Sequence, residues 1–267
     1  MVISPANTHL VSYWEGPVSW LERLCLRSIL DVGNTITIYS YDPKALQRTG
    51  LHDDIRDARD IIPESNIYFR YVQNKRYTLF TNLFRLVAQI QGLGTWVDLD
   101  CYFVKRFVVT NEYYFGWVSD RKLNGAVLHL PSGSDMAGDY LDGISKVPLR
   151  TPWSTWRRRI LREIEILAGQ DLPKPKTRSN IGPRALTYYA EKHGQIQLAQ
   201  PKDVLYPIPS RLALCLTHPD DAQANRMITE NTQIVHAWQG KLKRAGQLLE
   251  TPVNTSFLGA AYFKHGL

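Results

Sequence analysis

The chain has 267 residues, 44% hydrophobic and 21% charged, with 32 basic against 25 acidic side chains. That is ample material for one large domain or a core with an appendage, and it excludes a disordered or fibrous chain. The net charge of +7 favours an anionic partner, whether phosphates, acidic lipid headgroups or nucleic acid, without choosing among them. The three cysteines, Cys25, Cys101 and Cys215, are far apart and odd in number, which excludes a disulfide framework and a cysteine-built zinc site. The opening residues lack the basic region and apolar run of a signal peptide. No window reaches the roughly 18–20 apolar residues of a membrane span, so a cytosolic setting is expected.

In chain order, residues 9–13 read as a first strand, followed by Trp14, Glu15, Gly16 and Pro17. Ser19 with Glu22 forms a capping box for a helix whose apolar side is Trp20, Leu21, Leu24, Ile29 and Leu30. Gly33 ends that helix, and residues 35–41 form a β-branched and aromatic strand. A β-α-β opening of this length predicts a parallel sheet with a right-handed crossover. Gly33 stands alone, so the glycine fingerprint of dinucleotide binding is absent. Residues 53–60 are highly charged and predict a short solvated helix; 61–63 predict a brief extended piece. Lys75 and Arg76 lead into the next helix, where their charges suit either solvent or phosphate.

Residues 78–106 are the stretch that organises the chain. Leu79, Leu83, Leu86, Val87 and Ile90 recur at helical spacing, and Gly92 and Gly94 break the helix. Thr95, Trp96 and Val97 form a short β-rich run ending in Asp98, Leu99 and Asp100. In an extended chain alternate side chains share a face, so the two aspartates can point the same way. Adjacent carboxylates repel unless a cation sits between them; a divalent cation with oxygen ligands, carrying phosphate oxygens as well, answers that need. The simpler alternative is a pair of solvated turn residues.

Beyond the aspartates, residues 102–104, 115–118 and 123–128 read as extended. The last contains Asn124 and Gly125, which are also a hairpin-turn signal. Residues 135–144 predict a helix with Met136, Tyr140, Leu141 and Ile144 inward. Residues 153–168 predict another, whose Arg157, Arg158 and Arg159 cannot share one face. It suits an acidic membrane surface or a phosphate-rich acceptor, or simply a solvated face. A linker at 174–179 precedes Gly182 and Pro183, which suit a helix entry whose free amides favour anions. Residues 204–208 read as short and extended. His236 and Trp238 end a β run as alternate residues of one face, and the tail beyond 241 either folds over a site or packs on the surface.

The order of helix, glycine break and W-V-D-L-D resembles the centre of the GT-A sugar-transferring enzymes. The likeness is to the family 32-like group: Och1-like mannosyltransferases, α-1,4-galactosyl- and N-acetylglucosaminyltransferases, and the glucosylating domains of large clostridial toxins. The matching positions here are Thr81, Asn82, Arg85, Gly92, Gly94, Asp98 and Asp100. The family's helix aspartate is Asn82 in this chain, which leaves the sugar open; asparagine can still donate and accept hydrogen bonds. The resemblance implies an α/β GT-A fold, with a Rossmann-like, mostly parallel sheet flanked by helices. It implies that residues 1–267 form one domain, with a nucleotide-sugar half at about 1–130 and an acceptor or lid half at about 131–267.

The resemblance also implies roles. Asp98, Asp100 and His236 would hold Mn²⁺ or Mg²⁺; Arg85 and Asn82 would act on the sugar. Trp14, Leu99, Asn124, Gly182, Pro183 and Trp238 would line the donor. The donor would be UDP-glucose, UDP-galactose or UDP-N-acetylglucosamine, the acceptor a glycan or lipid-linked precursor, and the reaction retaining. The setting would be the bacterial cytoplasm, with peripheral contact to an acidic inner membrane and no nucleic acid. Two alternatives stay open. A phosphohydrolase of the haloacid-dehalogenase kind also ends a strand in D-x-D, but usually at its first strand and with Thr or Val where Tyr102 stands. A basic nucleic-acid binder fits the charge but lacks a recognition signature.

Overall fold

The computed structural model describes residues 8–65, 77–171, 181–220 and 222–267. Lys75, Arg76 and the linker at 174–179 lie outside the described residues. The chain opens with the expected β-α-β unit: β1 (His9–Tyr13), α1 (Trp20–Asp31) and β2 (Thr35–Ser40), the two strands parallel. The Ser19 hydroxyl accepts from the Leu21 amide, and Glu22 accepts from the Ser19 amide at 2.6 Å, so the capping box forms. Leu30, expected inward, is exposed, because it lies a full helical step round from buried Ile29.

After α2 (Pro43–Arg48), residues 53–60 depart from expectation. They form an edge strand, β3 (Ile55–Asp57), and a 3₁₀ turn (Ala58–Asp60), with Ile55 paired to Ile38. The charges that made the segment look like a solvated helix decorate a sheet edge, where they discourage further pairing. Residues 61 and 62 turn rather than extend. α3 (Tyr77–Ile90) then lays Phe80, Leu83, Phe84 and Ala88 against Val11 and Trp96 of the sheet, and Tyr13 stacks on Phe84 with ring centroids 4.8 Å apart. β4 (Thr95–Val97) slots in parallel beside β1. Gly94 makes that entry possible: its φ is +139°, and a Cβ there would meet the His9 carbonyl oxygen at 2.7 Å.

β6 (Tyr114–Ser119) and β7 (Lys122–His129) are an antiparallel hairpin that joins the sheet through β4. The turn falls at Asp120 and Arg121, so Asn124 and Gly125 lie within β7 rather than at a hairpin tip. The strand order is β3-β2-β1-β4-β7-β6: four parallel strands, then two antiparallel. A separate two-stranded ribbon pairs β5 (Cys101–Phe103) with β8 (Ile234–His236). α4 (Asp135–Ser145) and α6 (Pro183–Lys192) pack with α3 on one sheet face. α1, β5 and α7 (Lys202–Leu205) pack on the other; Val204 and Leu205, expected extended, belong to α7. Apolar layers on both faces are what a mostly parallel sheet requires, and the whole is a mixed α/β fold with helices flanking a mostly parallel sheet. α10 (Phe257–Lys264) packs Leu258 and Ala261 against Trp20 and Leu21 of α1, anchoring the tail. No described helix is long and apolar enough to cross a membrane.

Candidate active site

β4 stops at Val97, and Asp98, Leu99 and Asp100 form a turn instead of alternating along an extended strand. The Cys101 amide donates to the Asp98 carbonyl at 3.1 Å, and the Asp98 amide donates to the Ala126 carbonyl at 2.8 Å. Both carboxylates still reach one cavity of about 330 Å³, walled by Trp14, Glu15, Asn82, Arg85, Leu99, Gln239 and Lys243 among others. The tight turn, rather than strand alternation, keeps the two acids together at the carboxyl end of the parallel strands, where open α/β sheets bind ligands.

Different partners hold the two acids. Asp98 Oδ1 accepts from Arg85 Nη2 at 2.6 Å and from the Trp96 indole N–H at 2.7 Å. The Arg85 guanidinium lies over the Trp96 ring at 5.1 Å. Asp100 Oδ1 lies 3.1 Å from His236 Nε2, and its Oδ2 accepts from the Gln239 amide at 2.8 Å. Burial pushes the Asp98 carboxyl above its ordinary value, with the Arg85 charge opposing. For Asp100 burial pulls the same way, but the charge and hydrogen bond of His236 prevail and hold it below the usual carboxylate range. Burial would lower His236; the Asp100 carboxylate overrides that and raises it. Two acids two residues apart are thus driven in opposite directions by their surroundings.

His236 closes β8, and its Nδ1 is buried without a partner. Trp238 lies past the strand end, in left-handed backbone at φ 59°. The H-x-W pair is therefore not two positions of one strand. The Trp238 ring sits 4.1 Å from the His236 ring, and its indole N–H donates to the Ile208 carbonyl at 2.8 Å, so it braces the histidine from behind. Neither Trp238 nor His236 lines the cavity; His236 stands behind Asp100 and meets the site through that carboxylate.

The other expected residues divide. Trp14 and Asn82 are in the cavity wall, and the Trp14 indole nitrogen is buried without a partner. Asn124 is not in the wall; its side chain accepts from the Ala126 amide within β7. Gly182 and Pro183 cap and start α6, outside the wall, although Gly182 lies directly behind Asn82. Sequence reasoning missed Glu15, Gln239 and Lys243. Gln239 and Lys243 belong to α9 (Gln239–Arg244), whose basic run was a signal without an address. Glu15 accepts from the Tyr41 amide and the Ser40 hydroxyl, and its burial raises its pKa.

Among the described residues, Asp100, Cys101 and His236 each bring one ligand atom within 4.8 Å of the others. Burial and the neighbouring acids raise the Cys101 thiol well above its ordinary value, so it stays protonated and unfit for a hard cation. That leaves Asp100 and His236 as the carboxylate and imidazole of the cluster; Asp98 is not part of it, its Oδ1 being engaged by Arg85 and Trp96. A wider hollow of about 530 Å³ lies elsewhere, beside β6 and α7; Asp120 there is already tied to Lys202 at 2.6 Å.

The fold and this cavity define a mixed α/β protein with paired acids at a strand end. A solved structure of the PaToxG glycosyltransferase shares the fold, with a TM-score of 0.50 over 92% of this chain and 87% of its own, at 12% sequence identity. No family model matches the sequence, and no curated protein does.

Proposed function

We propose that this chain is a metal-dependent, retaining glycosyltransferase that uses a nucleotide-diphosphate sugar. The observation that carries the reading is the shared cavity in which Asp98 and Asp100 meet two cations, Arg85 and Lys243, and an aromatic ring, Trp14. The fold of a glycosyltransferase supports it. Asp98, Asp100 and His236 would hold Mn²⁺ or Mg²⁺, which supplies Lewis-acid neutralisation of a leaving diphosphate when bound.

The chain's own groups take the remaining tasks. Lys243 presents a cation to the diphosphate. Trp14 offers a stacking face for the base. Arg85, braced between Asp98 and Trp96, and Asn82 bind the sugar hydroxyls. Glu15, the remaining carboxylate of the wall, is engaged by Tyr41 and Ser40, which favours a front-face route over a covalent glycosyl-enzyme. The donor is UDP-glucose, UDP-galactose or UDP-N-acetylglucosamine, and the acceptor a glycan or lipid-linked precursor. The wall draws on residues from both halves of 1–267, which supports one catalytic unit.

The test is Mn²⁺-dependent cleavage of those three donors. The wild-type protein is expected to release UDP from one of them, and Asp100→Ala to lower the rate about 10³-fold or more, the scale of losing a principal electrostatic stabiliser. A protein that neither binds nor cleaves any of the three sinks the proposal, and cleavage of simple phosphate esters instead would assign a phosphohydrolase.

A further inference from the structure

α5 (Trp156–Leu167) is docked the wrong way round for an ordinary surface helix. Trp156, Ile160, Ile164 and Leu167 follow helical spacing and form one stripe, which a globular helix would normally bury. Here they are 60, 53, 56 and 87% exposed, with Leu161 beside them at 60%. The helix is attached by its polar side. Its one buried residue is Arg162, whose guanidinium donates to the carbonyls of Leu149, Gln170 and Asp171 at 2.7, 2.9 and 2.5 Å. An arginine satisfied in this way fixes the rotation of the helix, so the outward apolar stripe is a built feature of the fold.

Charge identifies what covers the stripe. Arg157, Arg158 and Arg159 are exposed and, among the described residues, paired with no acid; the Arg157 guanidinium lies over the Trp156 ring at 5.2 Å. The helix's two acids are already taken, Glu163 by Arg150 at 3.0 Å and Glu165 by Arg162 at 3.1 Å. A second copy of the chain would therefore offer these arginines no free partner from its own α5. An apolar stripe edged by a tryptophan and unpaired arginines is the pattern of a helix that lies in a bilayer interface containing acidic lipid. We infer that α5 seats this protein on an acidic membrane surface, with its apolar side chains among the acyl chains and Arg157 and Arg159, which flank the stripe, at the headgroups. The inference uses none of the cavity residues and stands apart from the sugar-donor reading.

Flotation of the full chain with phosphatidylcholine vesicles, with and without phosphatidylglycerol, tests it. Binding is expected to the acidic vesicles only and to weaken at high salt. The double substitution Ile160→Asp with Ile164→Asp is expected to cut binding about tenfold or more, without lowering the thermal unfolding midpoint, since both side chains are exposed. Arg157→Ser and Arg159→Ser should each cost about fivefold, and Arg158→Ser, on the side of Arg162, little. Failure of the wild-type protein to bind acidic vesicles, equal binding to neutral ones, or undiminished binding by the double variant overturns the inference. So does a concentration-dependent dimer in sedimentation that the double variant abolishes, which would assign the stripe to a second copy.

Discussion

Asp98 and Asp100 share a motif and a cavity, yet each owes its charge state to different neighbours: Asp98 leans on Arg85 and Trp96, Asp100 on His236 and the Gln239 amide. Arg85 in turn depends on a missing side chain. A Cβ at Gly125 would stand 2.6 Å from Arg85 Nη1, so only glycine leaves room for the guanidinium to reach Asp98. Because the clash falls on the far end of a flexible side chain, Gly125→Ala should move Arg85 rather than unfold β7. Loss of the charge-assisted bond, roughly 1.5–3 kcal/mol, predicts a fall of about 10- to 100-fold in kcat/KM for donor cleavage, with little change in the thermal unfolding midpoint. Unchanged kinetics in that variant would mean that the Arg85 contact to Asp98 has no part in turnover. Nothing in the sequence marks Gly125 for this role; read locally, it is half of a turn signal, and its use appears only when the Arg85 side chain of α3 reaches over to β7.

Among the elements, α1 does more than cover the sheet. Glu22 closes the capping box on Ser19 and also accepts from the Gln239 side chain at 2.6 Å, so the start of α1 is tied to the start of α9 beside Asp100. Ser19→Ala is expected to cost about 1 kcal/mol, a drop of about 2–4 °C in the unfolding midpoint for a chain of this size. Calorimetry that finds no drop would show the cap to be energetically silent. The cap was legible because its logic is local, a hydroxyl and a carboxylate three residues apart. Residues 53–60 were misread for the converse reason: their fate as an edge strand depends on Ile38, a partner distant in sequence.

At the scale of the whole molecule, stability responds to pH through groups that folding buries. Glu15 is one, held above its ordinary pKa by burial, with the Tyr41 and Ser40 hydrogen bonds opposing. An acid raised in the folded state binds its proton more tightly there than when unfolded. The ionised form therefore weakens the fold at pH values above the raised pKa. That penalty is relieved as pH falls through the raised value toward the unfolded one. Glu15→Gln should accordingly be more stable than the wild type near neutrality, with the gap narrowing on acidification through that window. Denaturant midpoints of the two proteins across pH measure it, and a gap that stays constant would refute the assignment to Glu15.

The sequence alone determined the β-α-β opening, the central helix and its glycine break, the strand ending in paired acids, and the later helix entry at Gly182 and Pro183. Each is written in near-neighbour terms: side-chain period, backbone freedom at glycine, a cap and its partner. Tertiary structure alone decided that the acids sit on a turn, and that His236 clasps Asp100 while Trp238 braces the histidine from behind. It also brought Lys243 and Gln239 into the wall and left Asn124 out of it. Those outcomes come from contacts between segments far apart along the chain, set by sheet order and by which side of a helix finds a partner, and local patterning carries no record of either.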